Sequence, residues 1–163
     1  MEYAKVPLIW QRCTINVFTD RYIFVDTWAW LALSNRKDMH HELAVKGYRE
    51  IQETEHKIVT LDYVLDEVIT ALFRNVVSIS AVQFVESLLT AIKIDQIELE
   101  KITEDRFKAA WSLRKKYQDK PDISFTDLTS FVIMQELAIN KVFTGDIHFE
   151  KVNLGFEILP KKQ

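Results

Sequence analysis

Apolar residues recur along this chain in two rhythms. Tyr22 to Val25 is a compact run of aromatic and β-branched residues that stops at Asp26, the pattern of a strand buried on both faces. Lys57 to Thr60, Gln96 to Ile102, Lys141 to Thr144 and Phe156 to Leu159 read as further short strands. Between them the spacing changes to i, i+3, i+4. Thr27 to Leu33 predicts a helix stopped by the polar Ser34-Asn35-Arg36 stretch. A second helix spans about Asp38 to Thr54, with Leu43, Ala44, Tyr48 and Ile51 on one face. Leu61 to Phe73 is strongly amphipathic, and Ser80 to Ile92 carries Val82, Val85, Leu88, Leu89 and Ile92 along a stripe. Glu104 to Tyr117 predicts a helix with Phe107, Ala110, Trp111 and Leu113 inward. Ser124 is an N-cap and Asp127, three residues on, its capping-box partner, opening a helix that runs through Phe131 to Ala138. Thr14 to Thr19 is a weaker signal for an edge strand.

Short strands alternating with helices predict an α/β fold with a mostly parallel sheet. The 163 residues suit one domain, with residues 1–20 as an N-terminal extension and 21–160 as the folded unit. Composition then excludes whole classes. There are only three glycines, Gly47, Gly145 and Gly155, none adjacent, so neither a dinucleotide fingerprint nor a phosphate-cradling loop can be built. A single cysteine, Cys13, excludes a disulfide framework and a multi-cysteine zinc site, and fits a reducing, cytoplasmic compartment. The longest apolar run, Trp28 to Leu33, is far too short to span a membrane. A net charge of −3 argues against nucleic-acid binding by global charge and leaves a local patch or a metal as the route.

The candidate chemistry is acidic. Asp26 and Asp146 each follow an apolar strand and should emerge at the same sheet edge, where sites in such folds lie. Glu67 and Asp66 border opposite edges of one helix stripe, and periodicity does not choose between them. Asp127 is stabilised at its helix start by the free amides there. Brought together, Asp26, Glu67, Asp127 and Asp146 would repel one another and raise their own pKa values. A hard divalent cation, Mg²⁺ or Mn²⁺, relieves that cost and suits phosphodiester hydrolysis.

These residues resemble a known family. Ile23-Phe24-Val25-Asp26-Thr27 is similar to the opening strand of the PIN-domain ribonucleases. Thr60 to Leu72 resembles their second segment, with Glu67 at the acidic position and Asp66 outside it. Asp122 to Asp127 resembles the third, and Phe143-Thr144-Gly145-Asp146-Ile147-His148-Phe149 the fourth. The ordered set, over about residues 22–160, is closest in look to the VapC-like toxins of toxin–antitoxin pairs. The resemblance implies a three-layer α/β/α sandwich and a Mg²⁺- or Mn²⁺-dependent endoribonuclease. It also implies a cognate antitoxin and frequent homodimers. Asp26 and Asp127 would be core metal ligands, Glu67 and Asp146 would complete the site, and Thr27 and Thr144 would stand just behind it. Asp122 is not among the four. The departure is at the N-terminus, where about twenty residues precede the first strand.

Four basic residues, Arg114, Lys115, Lys116 and Lys120, precede the third segment and are the candidate phosphate-contacting rim for RNA. Of Trp28 and Trp30, at least one belongs to the core. His40, His41 and His148 read as packed or surface residues, since carboxylates already supply the site. Gly145, directly before an acid, suggests a tight approach to the metal. The broad apolar faces between Leu61 and Ile92 predict a dimer contact or an antitoxin groove. Two alternatives remain within the fold, a catalytically inactive interaction module and a housekeeping RNA-processing nuclease. A phospho-acceptor receiver domain fits less well, because it needs a Lys at a late strand end where Thr144-Gly145-Asp146 stands.

Overall fold

In the computed structural model, which describes residues 21–161, five parallel strands form one sheet. In chain order the elements are β1 (Tyr22–Val25), α1 (Thr27–Ser34), α2 (His41–Gln52), β2 (Lys57–Leu61), α3 (Asp62–Asn75) and α4 (Ser78–Lys93). They continue with β3 (Ile97–Glu100), α5 (Glu104–Lys116), α6 (Phe125–Glu136), β4 (Lys141–Phe143), α7 (His148–Lys151) and β5 (Glu157–Leu159). The expected strand at Thr14–Thr19, and Cys13, lie outside the described residues.

The strand order is β3-β2-β1-β4-β5. From β1 the chain first steps outward through β2 to β3, then returns to the other side of β1 for β4 and β5. Right-handed crossovers in opposite directions put their helices on opposite faces, which makes the α/β/α sandwich. They also make a topological switch between β1 and β4, where the carboxyl ends of adjacent strands diverge. The register pairs Val25 with Phe143, so Asp26 and the segment after Phe143 leave the sheet side by side.

Burial explains the strand composition. Phe24, Val25, Val59, Val142 and Phe143 are fully covered, as strands with helices on both faces require. Each such side chain contributes roughly 1.5–3 kcal/mol of burial. The most buried helix is α6, where every residue from Asp127 to Met134 is buried. Its Phe131 meets Phe149 of α7 edge-on, with centroids 4.9 Å apart at 87°, an arrangement aromatic rings favour.

Several helix faces differ from the pattern. Leu43, Val82, Leu89, Phe107 and Trp111 are exposed rather than inward. The reason is their layer: α4 packs on α3 and β3, and α5 on α6, so only Ala81 and Leu88 of α4 and Ala110 of α5 are fully covered. The predicted helix from Asp38 starts later, at His41, because residues 35–40 form turns held by Asn35 and Asp38. The four-residue α7 was not expected from the pattern.

Candidate active site

Asp26 ends β1 with its amide donating to the Phe143 carbonyl at 3.2 Å, a last rung onto β4. Its side chain is 2% exposed. Oδ2 accepts a hydrogen bond from Thr144 Oγ1 at 2.9 Å, while Oδ1 is buried without a partner among the described residues. Burial, reinforced by the Asp127 charge, pushes the Asp26 carboxyl up to about 7. The Thr144 hydroxyl also accepts the Asp146 amide at 3.0 Å. One hydroxyl thus donates to the Asp26 carboxyl and accepts from the Asp146 backbone, linking the two residues.

Asp146 in turn accepts the His148 amide on Oδ1 at 2.8 Å, an Asx turn that starts α7. Asp127 arrives from the start of α6 through a complete capping box. Its amide donates to Ser124 Oγ at 3.0 Å and its Oδ2 accepts the Ser124 amide at 2.9 Å. Burial is also the main cause that raises Asp127, to about 6, with Asp146 adding to it and the Ser124 bonds opposing it. On α3, Glu67 Oε2 accepts from Thr27 Oγ1 at 3.0 Å, whereas Asp66 points to solvent. Local chemistry thus separates the two acids that periodicity left open.

All four expected acids line one cleft of about 290 Å³, together with Thr27, Trp28, Asp122 and His148. A roomier cleft of about 480 Å³ lies between α2 and β5, but its Lys46, Lys141, Lys161, Glu50 and Glu157 are of mixed sign and no acids converge there. The acidic cleft is therefore the chemical candidate, although it is the smaller. Ligand atoms of Asp127, Asp146 and His148 lie within 4.8 Å of one another. With the orphaned Asp26 oxygen, this oxygen-rich donor set is one that fits a divalent cation.

A family model for the PIN domain matches residues 23–154. The chain belongs to the PIN-domain family. This PIN domain is 30% identical, over 140 residues, to the 23S rRNA-specific endonuclease VapC20 of Mycobacterium tuberculosis, covering 85% of this chain and 99% of that protein. The crystal structure of Mycobacterium tuberculosis VapC20, described as a sarcin-ricin loop cleaving toxin, superposes with a TM-score of 0.68 at 29% identity, over 80% of this chain and 95% of that one. A structure of VapBC2 from Rickettsia felis bound to a promoter DNA fragment shares the fold, with a TM-score of 0.62 at 12% identity over 84% and 96% of the two chains.

Within this PIN domain several sequence expectations are corrected. His148, read as a packed or surface residue, lies against the acids: its Nδ1 is 3.0 Å from Asp146 Oδ1 and 3.6 Å from Asp127 Oδ2. That nitrogen is buried and lacks the alignment of a hydrogen bond. Its position two residues after Asp146, inside an Asx turn, was the signal that could have found it. Asp122, set aside earlier, lines the cleft. At Gly145 a Cβ would fall 2.3 Å from the Trp28 indole, so the ring itself requires a glycine there. Trp30 is the core tryptophan, donating to Thr60 Oγ1 at 3.2 Å.

The basic rim is divided. Arg114 donates to the backbone carbonyls of Tyr117, Lys120 and Ile123, which uses three of its five N–H donors and leaves its charge in place. It shapes the loop that leads to Asp127. Lys116 and Lys120 lie over the Tyr117 ring at 5.3 and 5.5 Å, and Lys120 also pairs with Asp119 at 3.1 Å. Lys115 is exposed on α5.

Proposed function

We propose that this protein is a Mg²⁺- or Mn²⁺-dependent endoribonuclease, the toxin of a toxin–antitoxin pair. The observation that carries the reading is the unbalanced acid cluster: Asp26 and Asp127 are buried, raised to about 7 and about 6, and no Lys or Arg lines their cleft. Folding tolerates such a cluster at a cost, and a bound cation removes that cost. The 30% identity to a 23S rRNA-specific endonuclease over nearly its whole length makes RNA the substrate to test, and ribosomal RNA the first.

Asp26, through its free Oδ1, and Asp127 would hold the ion. Asp146 and Glu67 would complete its surroundings directly or through water. When bound, the ion supplies charge stabilisation at the phosphoryl oxygen and lowers the pKa of water. Thr144 keeps Asp26 and Asp146 oriented, as Thr27 does for Glu67. Such outer partners typically govern 10–100-fold in affinity or activity. Deprotonation of Asp26 and Asp127 precedes loading, so activity rises with pH between about 6 and 7. Exposed apolar residues on α3 and α4, including Phe73, Ile79, Val82 and Leu89, are the surface assigned to the antitoxin or to a homodimer contact.

The deciding experiment is cleavage of a labelled ribosomal RNA fragment with Mn²⁺ or Mg²⁺. Wild type should cut and stop on chelation, and Asp26→Asn and Asp127→Asn should each lose on the order of 10³-fold while keeping a native circular dichroism spectrum. Full metal-dependent activity in both variants overturns the site.

A further inference from the structure

The exposed face of α5 carries a feature that neither the acid cluster nor the core explains. Trp111 was expected inward, yet it is 52% exposed on a helix with only Ala110 fully buried. About half of its surface is open to solvent and accessible to a planar ligand. Around it, Lys115, Gln118, Pro121 and the stem of Arg114 form a shallow, open depression of about 420 Å³. Trp111 and Lys115 are four residues apart and so share one helix face. Lys115 has no ion pair among the described residues, unlike Lys108 on the same helix, which is paired with Glu104.

The depression adjoins the candidate active site. Its floor residue Pro121 is bonded to Asp122, which lines the acidic cleft, and consecutive Cα atoms are about 3.8 Å apart. The loop between them is not loose, since Arg114 holds the carbonyls of Tyr117, Lys120 and Ile123. The indole, the lysine and the acid cleft are therefore kept in fixed relation by one guanidinium. The nearby Lys116 adds positive charge to the rim, while Lys120 is paired with Asp119. An aromatic plane flanked by cations is the combination that holds single-stranded nucleic acid: the ring stacks on a base and the ammonium meets the backbone.

We propose that Trp111, with Lys115, forms a base-stacking subsite that seats an unpaired nucleotide of the RNA next to the bond being cut. This rests on the reading of the acidic cleft as a ribonuclease site. A protein partner could also cover an exposed tryptophan, but the cationic rim and the one-residue continuity with the cleft favour RNA.

The test uses a short single-stranded RNA carrying 2-aminopurine at successive positions, whose fluorescence is quenched by stacking. It is measured with the full chain in chelator, so the readout does not depend on cleavage. Wild type should quench one position, Trp111→Ala should abolish that quench and weaken binding roughly tenfold, and Trp111→Phe should restore most of it. Lys115→Gln should weaken binding less and flatten its salt dependence. In the cleavage assay, Trp111→Ala should raise KM about tenfold and leave kcat within about twofold. RNA binding and quenching by Trp111→Ala equal to wild type, with a matching thermal melt, overturns the proposal. So does a Trp111→Ala variant that changes only the mass seen in light scattering, which assigns the face to a protein contact. If wild type binds and quenches but never cuts, the subsite stands and the nuclease reading falls.

Discussion

The molecule handles charge in two opposite ways. Beyond the end of β3, Arg106 is 14% exposed and lies between two carboxylates, with Glu100 at 2.7 Å and Glu136 at 2.8 Å. It also donates to the Lys101 carbonyl at 2.6 Å. Every charge there has a partner, and the pairing raises the guanidinium pKa. At the β1–β4 switch, Asp26, Asp127 and Asp146 converge with one imidazole and no Lys or Arg. The first arrangement ties α5 to β3 and α6. The second is held only by hydroxyl and amide donors, and burial raises Asp26 and Asp127. Balanced charge marks where the fold is held. Unbalanced charge marks where a cation could bind.

Asp26→Asn breaks this contrast most sharply, because it should help the fold while destroying the activity. Asparagine removes a buried charge and keeps the shape. For an acid whose folded pKa lies above its unfolded value, the native state holds the extra proton between about pH 4 and 7, so stability falls as pH rises through that window. Metal-free wild type should therefore lose up to a few kcal/mol between those pH values. The variant should show a much flatter profile by urea unfolding at fixed ionic strength. Saturating Mn²⁺ should restore the wild type by about 2.7 kcal/mol at a hundred times its Kd, and leave the variant unmoved. A variant less stable than wild type at pH 7 in chelator would show that the carboxylate is a structural group.

The balanced region should behave in the reverse sense. Arg106→Gln leaves Glu100 and Glu136 facing each other without a cation, and should cost about 2 kcal/mol of stability. Cleavage by the remaining folded protein should stay within about twofold. Urea unfolding and a rate measured well below the melting temperature separate the two effects. A loss of rate without a loss of stability would mean that the node belongs to the site.

The same contrast explains what could be read from the sequence. The parallel sheet followed from short strands alternating with helices, and the placing of Asp26 and Asp146 from apolar strands that run into an acid. Asp127 was legible through its capping box, a purely local signal. Glu67 was chosen over Asp66 only by resemblance, since the hydrogen bond that selects it comes from Thr27, forty residues away. The structural role of Arg114 was hidden for the same reason: its partners are carbonyls of a loop whose path the sequence does not specify. Phe107 and Trp111 were placed inward because an amphipathic stripe does not reveal how much of it the next layer covers.

Finer variants sharpen the boundary between the two regions. Thr144→Val keeps the volume but removes the hydroxyl that joins Asp26 to Asp146. With Oδ2 of Asp26 also unpartnered, its pKa should rise further, and Mn²⁺ affinity at pH 7 should fall by roughly tenfold. Calorimetric titration reads this directly, and raising the pH should recover part of the loss. An affinity unchanged across pH 6 to 8 would remove Thr144 from the site.

The smallest effect belongs to the surface. Lys57 sits 3.2 Å from both Asp95 and Glu98, a balanced cluster like that of Arg106 but open to water, with Asp95 83% exposed. Water screens each pair, and two flexible chains lose freedom to make it, so exposed pairs are typically worth about 0.2–1 kcal/mol. Lys57→Gln should therefore lower stability by less than about 0.5 kcal/mol, and that difference should vanish in molar salt. Arg106→Gln should keep most of its cost under the same salt, because its side chain is 14% exposed. If the two variants responded equally to salt, burial would not be what separates structural from superficial charge pairing in this fold. The raised acids of the cleft would then need a cause other than their removal from water.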